Sequence, residues 1–246
     1  MNHIKPKNAE GFTLVELAIV MIIIGLLVGG VIKGFQMVQN AKVKAIVSQL
    51  ESIRASTQSF RDAYSALPGD LTNARDRVAN CNDTTFCQNG NADSVVGTPG
   101  DNTAAAHEGE NIQYWKHLSL ANLLGGVVYD ADPDAAPLEY AVHFPESENK
   151  KGGYQVFFRL ADDFTNNHVI RLHSTVDATF SGTPGTYALT PSEIAQIDRT
   201  LDDSSPATGR IISLGAGGTA SGCQGPGPYQ EGVTRRNCIL YMDMGF

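Results

Sequence analysis

From Phe12 to Ile32 the chain is apolar for 21 residues, with Glu16 as the only charge. A helix of that length rises roughly 30 Å, about one bilayer hydrocarbon core. Beyond Gly34 the pattern changes without breaking. Val43, Ile46, Val47, Leu50, Ile53 and Phe60 recur at helical spacing among polar residues, which describes one buried face. Neither Pro nor Gly intervenes between Gly34 and Pro68, where Pro68-Gly69-Asp70 stops the run. The pattern predicts one helix from Phe12 to about Ala63, roughly 78 Å long. Its first part is apolar all round and its second part is amphipathic.

The remainder reads differently. Residues 67–111 are polar, rich in Gly, Asn, Asp and Thr, and predict a long ordered loop. Residues 114–124 predict a short helix stopped by Gly125-Gly126. Leu138, Tyr140, Val142 and Phe144 alternate with Glu139, Ala141 and His143, and Tyr154, Val156, Phe158 and Leu160 alternate with Gln155, Phe157 and Arg159. Period two predicts two half-buried strands, joined through a turn at 148–153 as an antiparallel hairpin. A third strand is expected at 168–173. Thr190-Pro191-Ser192-Glu193 is a capping box with Pro at the first helical position, so a helix starts there. Late strands are expected at 210–214 and 237–242, around a Gly-rich loop. No internal repeat is visible.

Charge separates the two regions. Residues 68–246 hold 11 Lys/Arg against 22 Asp/Glu, a balance of −11 within a whole-chain charge of −8. So acidic a surface repels nucleic acid phosphates and anionic headgroups. Cys81, Cys87, Cys223 and Cys238 allow three pairings. Close spacing favours Cys81–Cys87 and Cys223–Cys238, provided the head is exported to an oxidising compartment. The rival is a zinc site, against which stands the missing C-x-x-C spacing.

The N-terminal residues carry the most specific signal. A short polar leader with Lys5 and Lys7 ends at Gly11; then come Phe12 and the run TLVELAIVMIIIGLLVGG. An ordinary secretory signal would be cut after the apolar run, where Gly29-Gly30-Val31 offers a poor site. This segment resembles the leader of type IV prepilins and type II secretion pseudopilins. The resemblance covers about the first quarter of the chain. It implies cleavage between Gly11 and Phe12 by a membrane-embedded prepilin peptidase, methylation of the new Phe12 amine, and Glu16 as the fifth residue of the mature chain. It also implies a cytoplasmic leader. Lys5 and Lys7 before the span and Lys33, Lys42 and Lys44 after it do not select an orientation by themselves. In the resembled family the acidic residue of an incoming subunit meets its neighbour's N-terminal amine during assembly. Many pilins carry Pro mid-helix; here Gly25, Gly29, Gly30 and Gly34 occupy that stretch, either for close helix packing or for local unwinding. Phrases at 67–70 and 197–209 are similar to phrases in large pseudopilin-like proteins.

Other candidate chemistry is sparse. Asn89, Asn91 and Asp93 have the spacing of a cation loop but lack its Gly and Glu, so an Asx-rich turn is expected. Asp198, Asp202 and Asp203 are the better candidate. Some major pseudopilins hold calcium near the end of the head, and three close carboxylates repel unless a cation or Arg sits among them. Solvated carboxylates at a helix end, paired with Arg199 or Arg210, are the other reading. Gly215-Ala216-Gly217-Gly218 lacks the Lys-Ser/Thr of a phosphate loop, and neither H-E-x-x-H nor G-x-S-x-G occurs. Tyr114 and Trp115 read as core anchors.

The expectation is therefore an α+β, pilin-like chain: leader 1–11, long N-terminal helix 12–66 with its membrane span at about 12–32, and extracytoplasmic head 67–246 on a small antiparallel sheet. It is expected to be a structural filament subunit, not an enzyme, anchored in a bacterial inner membrane and later in a periplasmic or cell-surface filament. Its partners would be copies of itself or similar subunits and the prepilin peptidase, with no nucleic acid. No cofactor is expected beyond possible calcium. A membrane-tethered enzyme or binding protein using the same anchor is the alternative.

Overall fold

The computed structural model describes residues 12–81, 86–97, 109–128, 130–131, 138–159, 167–176, 187–215, 222–224 and 227–246. Gly11 and the leader, Leu160 and residues 216–218 fall outside them. Two compact units are present, Met1–Lys42 and Val43–Phe246.

Helix α1, Leu14–Tyr64, belongs to both units. In the first unit no large apolar side chain is covered: exposure runs from 91% at Phe12 to 49% at Ile24, and Val38 is still 51% exposed. In the second unit the helix buries Val43, Ile46, Leu50, Ile53, Ser56, Thr57 and Phe60, the predicted face. Beyond Val38 only Val128 stands out as an exposed large apolar side chain among the described residues.

The head follows as α2 (Ala74–Arg77), α3 (Glu110–Leu120), β1 (Gly153–Arg159), β2 (Asn167–His173), α4 (Pro191–Leu201), β3 (Ile211–Gly215) and β4 (Cys238–Asp243). One antiparallel sheet has the order β1-β2-β4-β3. Val156 pairs with Ile170, Ile170 with Met242, and Met242 with Ile211. This row, with Tyr154, Leu172 and Leu240, joins the buried face of α1 and Ile112, Tyr114, Trp115 and Leu118 of α3 in one core.

Three expectations need correction. No strand forms at 138–144. Ala141 takes φ 63°, its N–H donates to Phe144 O at 2.8 Å, and the segment closes as a turn before Pro145. A left-handed residue in mid-segment ends the extended pattern that alternation suggested. β1 therefore pairs with β2, not with a preceding strand. The sheet is also not half-buried: Phe157, Val169, Tyr187, Ile212, Ile239 and Tyr241 form a second buried cluster. Finally, α3 begins at Glu110 and ends at Leu120, before Gly125. Asn122 at φ 56° supplies the left-handed exit that the glycines were expected to give.

Candidate functional site

The first turn of α1 begins the site. Thr13 sits before Leu14 and caps the helix: its Oγ1 accepts from Glu16 N at 3.2 Å. Glu16 Oε2 accepts in return from Thr13 N at 2.9 Å and from Thr13 Oγ1 at 2.8 Å. This is a capping box, in which two otherwise unpaired donors of the helix start are satisfied reciprocally. The pattern T-x-x-E ahead of an apolar run announces it. The same pattern predicted the helix start at Thr190–Glu193, whereas Glu16 was given only the partner that the family resemblance implies, a neighbour's N-terminal amine. Glu16 has a local partner already, Thr13.

The structure pairs Cys81 with Cys87 and Cys223 with Cys238, with Cα–Cα separations of 5.3 and 5.5 Å. Both distances suit a disulfide. No free cysteine is left. The first disulfide closes the loop after α1. His117 of α3 ties that loop from inside: Gly69 N donates to Nδ1 at 2.9 Å, and Nε2–H donates to Gln88 O at 2.9 Å. Burial holds its pKa down at about 4, so the ring stays neutral.

The acidic turn after α4 is also assembled. One carboxylate oxygen each of Asp198, Asp202 and Asp203 lies within 4.8 Å of the others. Asp198 is fully buried and accepts from Tyr229 Oη at 2.7 Å and Ser204 N at 3.2 Å. Burial pushes its pKa up to about 6, and its two acidic neighbours add to the rise. Asp202 accepts from Ile211 N at 2.9 Å; Asp203 accepts from Thr208 Oγ1 at 2.6 Å, and that bond lowers its pKa. Gly209, at φ 82°, lies against the Asp202 carboxylate, where a Cβ would collide. The suggested partners divide differently. Arg199 pairs with Glu231, and Arg210 lies 3.7 Å from Glu51.

A second acidic cluster escaped sequence reading. Asp70, Asp93 and Glu110 bring carboxylate oxygens within 4.8 Å of one another from three separate segments. Asp70 accepts from Asp93 N at 3.1 Å and Ser94 N at 3.0 Å, and Glu110 accepts from Asn91 N at 3.1 Å and Gly97 N at 3.2 Å. Burial pushes Glu110 up to about 7. Asn91 and Asp93 form the expected Asx turns, with Asp93 N to Asn91 Oδ1 at 2.8 Å. Asn89 faces elsewhere, accepting from Arg75 N at 3.2 Å. No local spacing links Asp70 to Glu110, so only the fold could bring them together.

A family model described as the prokaryotic N-terminal methylation motif matches residues 6–32. It covers residues 6–11, the Gly11–Phe12 junction, the Thr13–Glu16 box and the apolar run to Ile32. This motif, together with the long apolar N-terminal helix, supports a type IV pilin-like protein. No curated protein and no solved structure matches it. In this pilin-like protein α1 is the one described helix long and apolar enough to cross a membrane. None of its most apolar window is buried, unlike the core helix of a soluble domain. The α+β architecture of long apolar helix and small antiparallel sheet agrees with the pilin-like assignment.

Proposed function

We propose that this pilin-like protein is a structural, non-catalytic subunit of a type IV filament or a type II secretion pseudopilus. Prepilin peptidase processes it between Gly11 and Phe12, and it assembles with copies of itself or similar subunits through its N-terminal helix. Before assembly the helix lies in the inner membrane with the head outside the cytoplasm. The observation that carries this reading is the uncovered apolar helix surface from Phe12 to Val38, headed by the Thr13–Glu16 box. A helix this apolar needs lipid or other helices around it.

The head itself supports the role given to Glu16. In α4 the capping-box carboxylate of Glu193 also receives Arg236, whose two guanidinium nitrogens donate at 3.1 Å each. In α1 the equivalent carboxylate has no such cation among the described residues. Cleavage after Gly11 creates one, the Phe12 amine, and a neighbouring subunit's amine can take the place that Arg236 fills in α4. Attraction of this kind strengthens in low dielectric, while desolvation offsets part of it, so the pair sets helix register more than stability. Filament preparations from a strain whose only copy is Glu16→Leu test this. Normal incorporation of that variant refutes the assembly contact.

The proposal extends to calcium at Asp198, Asp202 and Asp203. Oxygens less than 4.8 Å apart fit around an ion with ligand distances of about 2.3–2.6 Å. Calcium should raise the melting temperature, chelator should reverse this, and Asp202→Ala should abolish the response. Equal melting with and without the ion leaves only a hydrogen-bonded turn.

A further inference from the structure

β1 lies at the edge of the sheet, yet its outer side is closed. Exposed edges are templates for strand addition, so what closes this one has consequences. Tyr154 N donates to Pro145 O at 2.9 Å, and Phe158 N donates to Val96 O at 3.2 Å. Between them the Asn111 side chain, oriented by its neighbours, donates to Val156 O at 3.0 Å and Val96 O at 3.3 Å. One side-chain amide thus replaces a rung of ladder and ties the loop to the strand.

The loop at 93–97 is not a strand and presents no fresh edge of its own. Its backbone donors are consumed by side chains from three directions. Asp93 and Ser94 donate to Asp70, Val96 donates to His168 Nε2 at 3.1 Å, and Gly97 donates to Glu110 Oε2 at 3.2 Å. Val96 is fully buried. Gly97 holds φ 92°, and a Cβ there would meet the Asn111 amide at 2.6 Å, so this close approach requires glycine.

We infer that residues 93–97 and Asn111 form an edge guard that keeps β1 from pairing with the same strand of a second copy of this chain. Behind the guard lies Gly-Tyr-Gln-Val-Phe-Phe-Arg, rich in β-formers and without Pro. An antiparallel β1–β1 pair is self-complementary, so a second copy is the partner this edge fits best. The guard does not depend on the filament reading, since it acts wherever two heads meet.

Gly97→Val and Asn111→Ala test it in the full mature chain in detergent. Hydrogen exchange at Phe158 should quicken by about tenfold, the loss of roughly one hydrogen bond, while Tyr154, held by Pro145, stays protected. Sedimentation should then show association that grows with concentration beyond the wild type in the same detergent. Faster exchange at Phe158 without added association overturns the inference. So does unchanged exchange in both variants. If Gly97→Val also releases Tyr154 it has unfolded, and Asn111→Ala decides.

Discussion

Glu16 and Thr13 hold each other across the first turn of α1, carboxylate to amide at 2.9 Å and hydroxyl to amide at 3.2 Å. Glu193 and Thr190 repeat the relation in α4, at 2.8 and 3.2 Å. Glu16, to which the family resemblance gives a neighbour's amine as partner, is therefore first a helix cap of its own chain. The cap folds the carboxylate back toward the chain's N-terminal side, where the proposed cleavage after Gly11 would create the amine.

This separates two variants. Thr13→Ala removes the cap hydroxyl, at a cost of about 1 kcal/mol for a helix start. It should fray the first turn and lower filament incorporation only in part. Glu16→Leu should leave membrane insertion and leader removal intact and abolish incorporation. Fractionation of sheared filaments, with each variant as the sole copy, measures both. Equal defects would mean that Glu16 acts only as a cap.

Maturation is read by mass. Membrane-extracted protein should begin at Phe12 and carry one methyl group. Gly11→Val should leave the leader attached, because a β-branched side chain obstructs approach to the backbone. A chain that begins after Gly30 instead would indicate ordinary secretion.

Non-reducing peptide maps should recover Cys81–Cys87 and Cys223–Cys238 as linked pairs. The sequence separations are 6 and 15 residues. Chain entropy then assigns about 2 and 3 kcal/mol to them respectively. Cys223→Ser with Cys238→Ser should lower the denaturation midpoint more than the corresponding pair at 81 and 87. The reverse order would show that local packing outweighs loop closure.

Stability against pH tests the two acidic clusters. Asp198 is raised to about 6 and Glu110 to about 7, both chiefly by burial. The folded state holds those protons more tightly than the unfolded chain does. Each favourable contribution is therefore present at low pH and lost as pH rises from about 4 through the folded value. His117 and His173, depressed by burial to about 4, have the opposite sign: their contribution is present above about 6.5 and lost as pH falls. The windows overlap, so wild-type stability should vary less than any one group implies. In chelator, Asp198→Asn should gain on wild type between pH 4 and 6 and then level off. Glu110→Gln should keep gaining to about pH 7. Denaturant midpoints that run parallel to wild type would refute both assignments.

Legibility followed the range of the interaction involved. Helix α1 was readable to within a residue or two because an all-apolar run from Phe12 passes into a helical apolar face from Val43 to Phe60, with no Pro between them. The α4 start was readable from Thr190-Pro191-Ser192-Glu193, since capping is a four-residue event. The cysteine pairs were readable because their partners lie close in sequence. Residues 138–144 were misread because alternation reports side-chain pattern, whereas Ala141 departs in backbone conformation. The Thr13–Glu16 box was equally local, since T-x-x-E encodes it as it does at Thr190–Glu193, but a charge at the head of an apolar run also suits an ion pair.

The sequence by itself determined the long apolar helix, the buried face of its second half and the cysteine couples, since each depends on residues near one another along the chain. Tertiary structure alone decided the rest. It set the strand order β1-β2-β4-β3, the second buried face of the sheet, the meeting of Asp70 with Glu110, and the closing of β1 by Val96 and Asn111. These pairings join residues tens of positions apart. Such contacts form only when the burial they complete exceeds the entropy of closing long loops, and no local spacing encodes that balance.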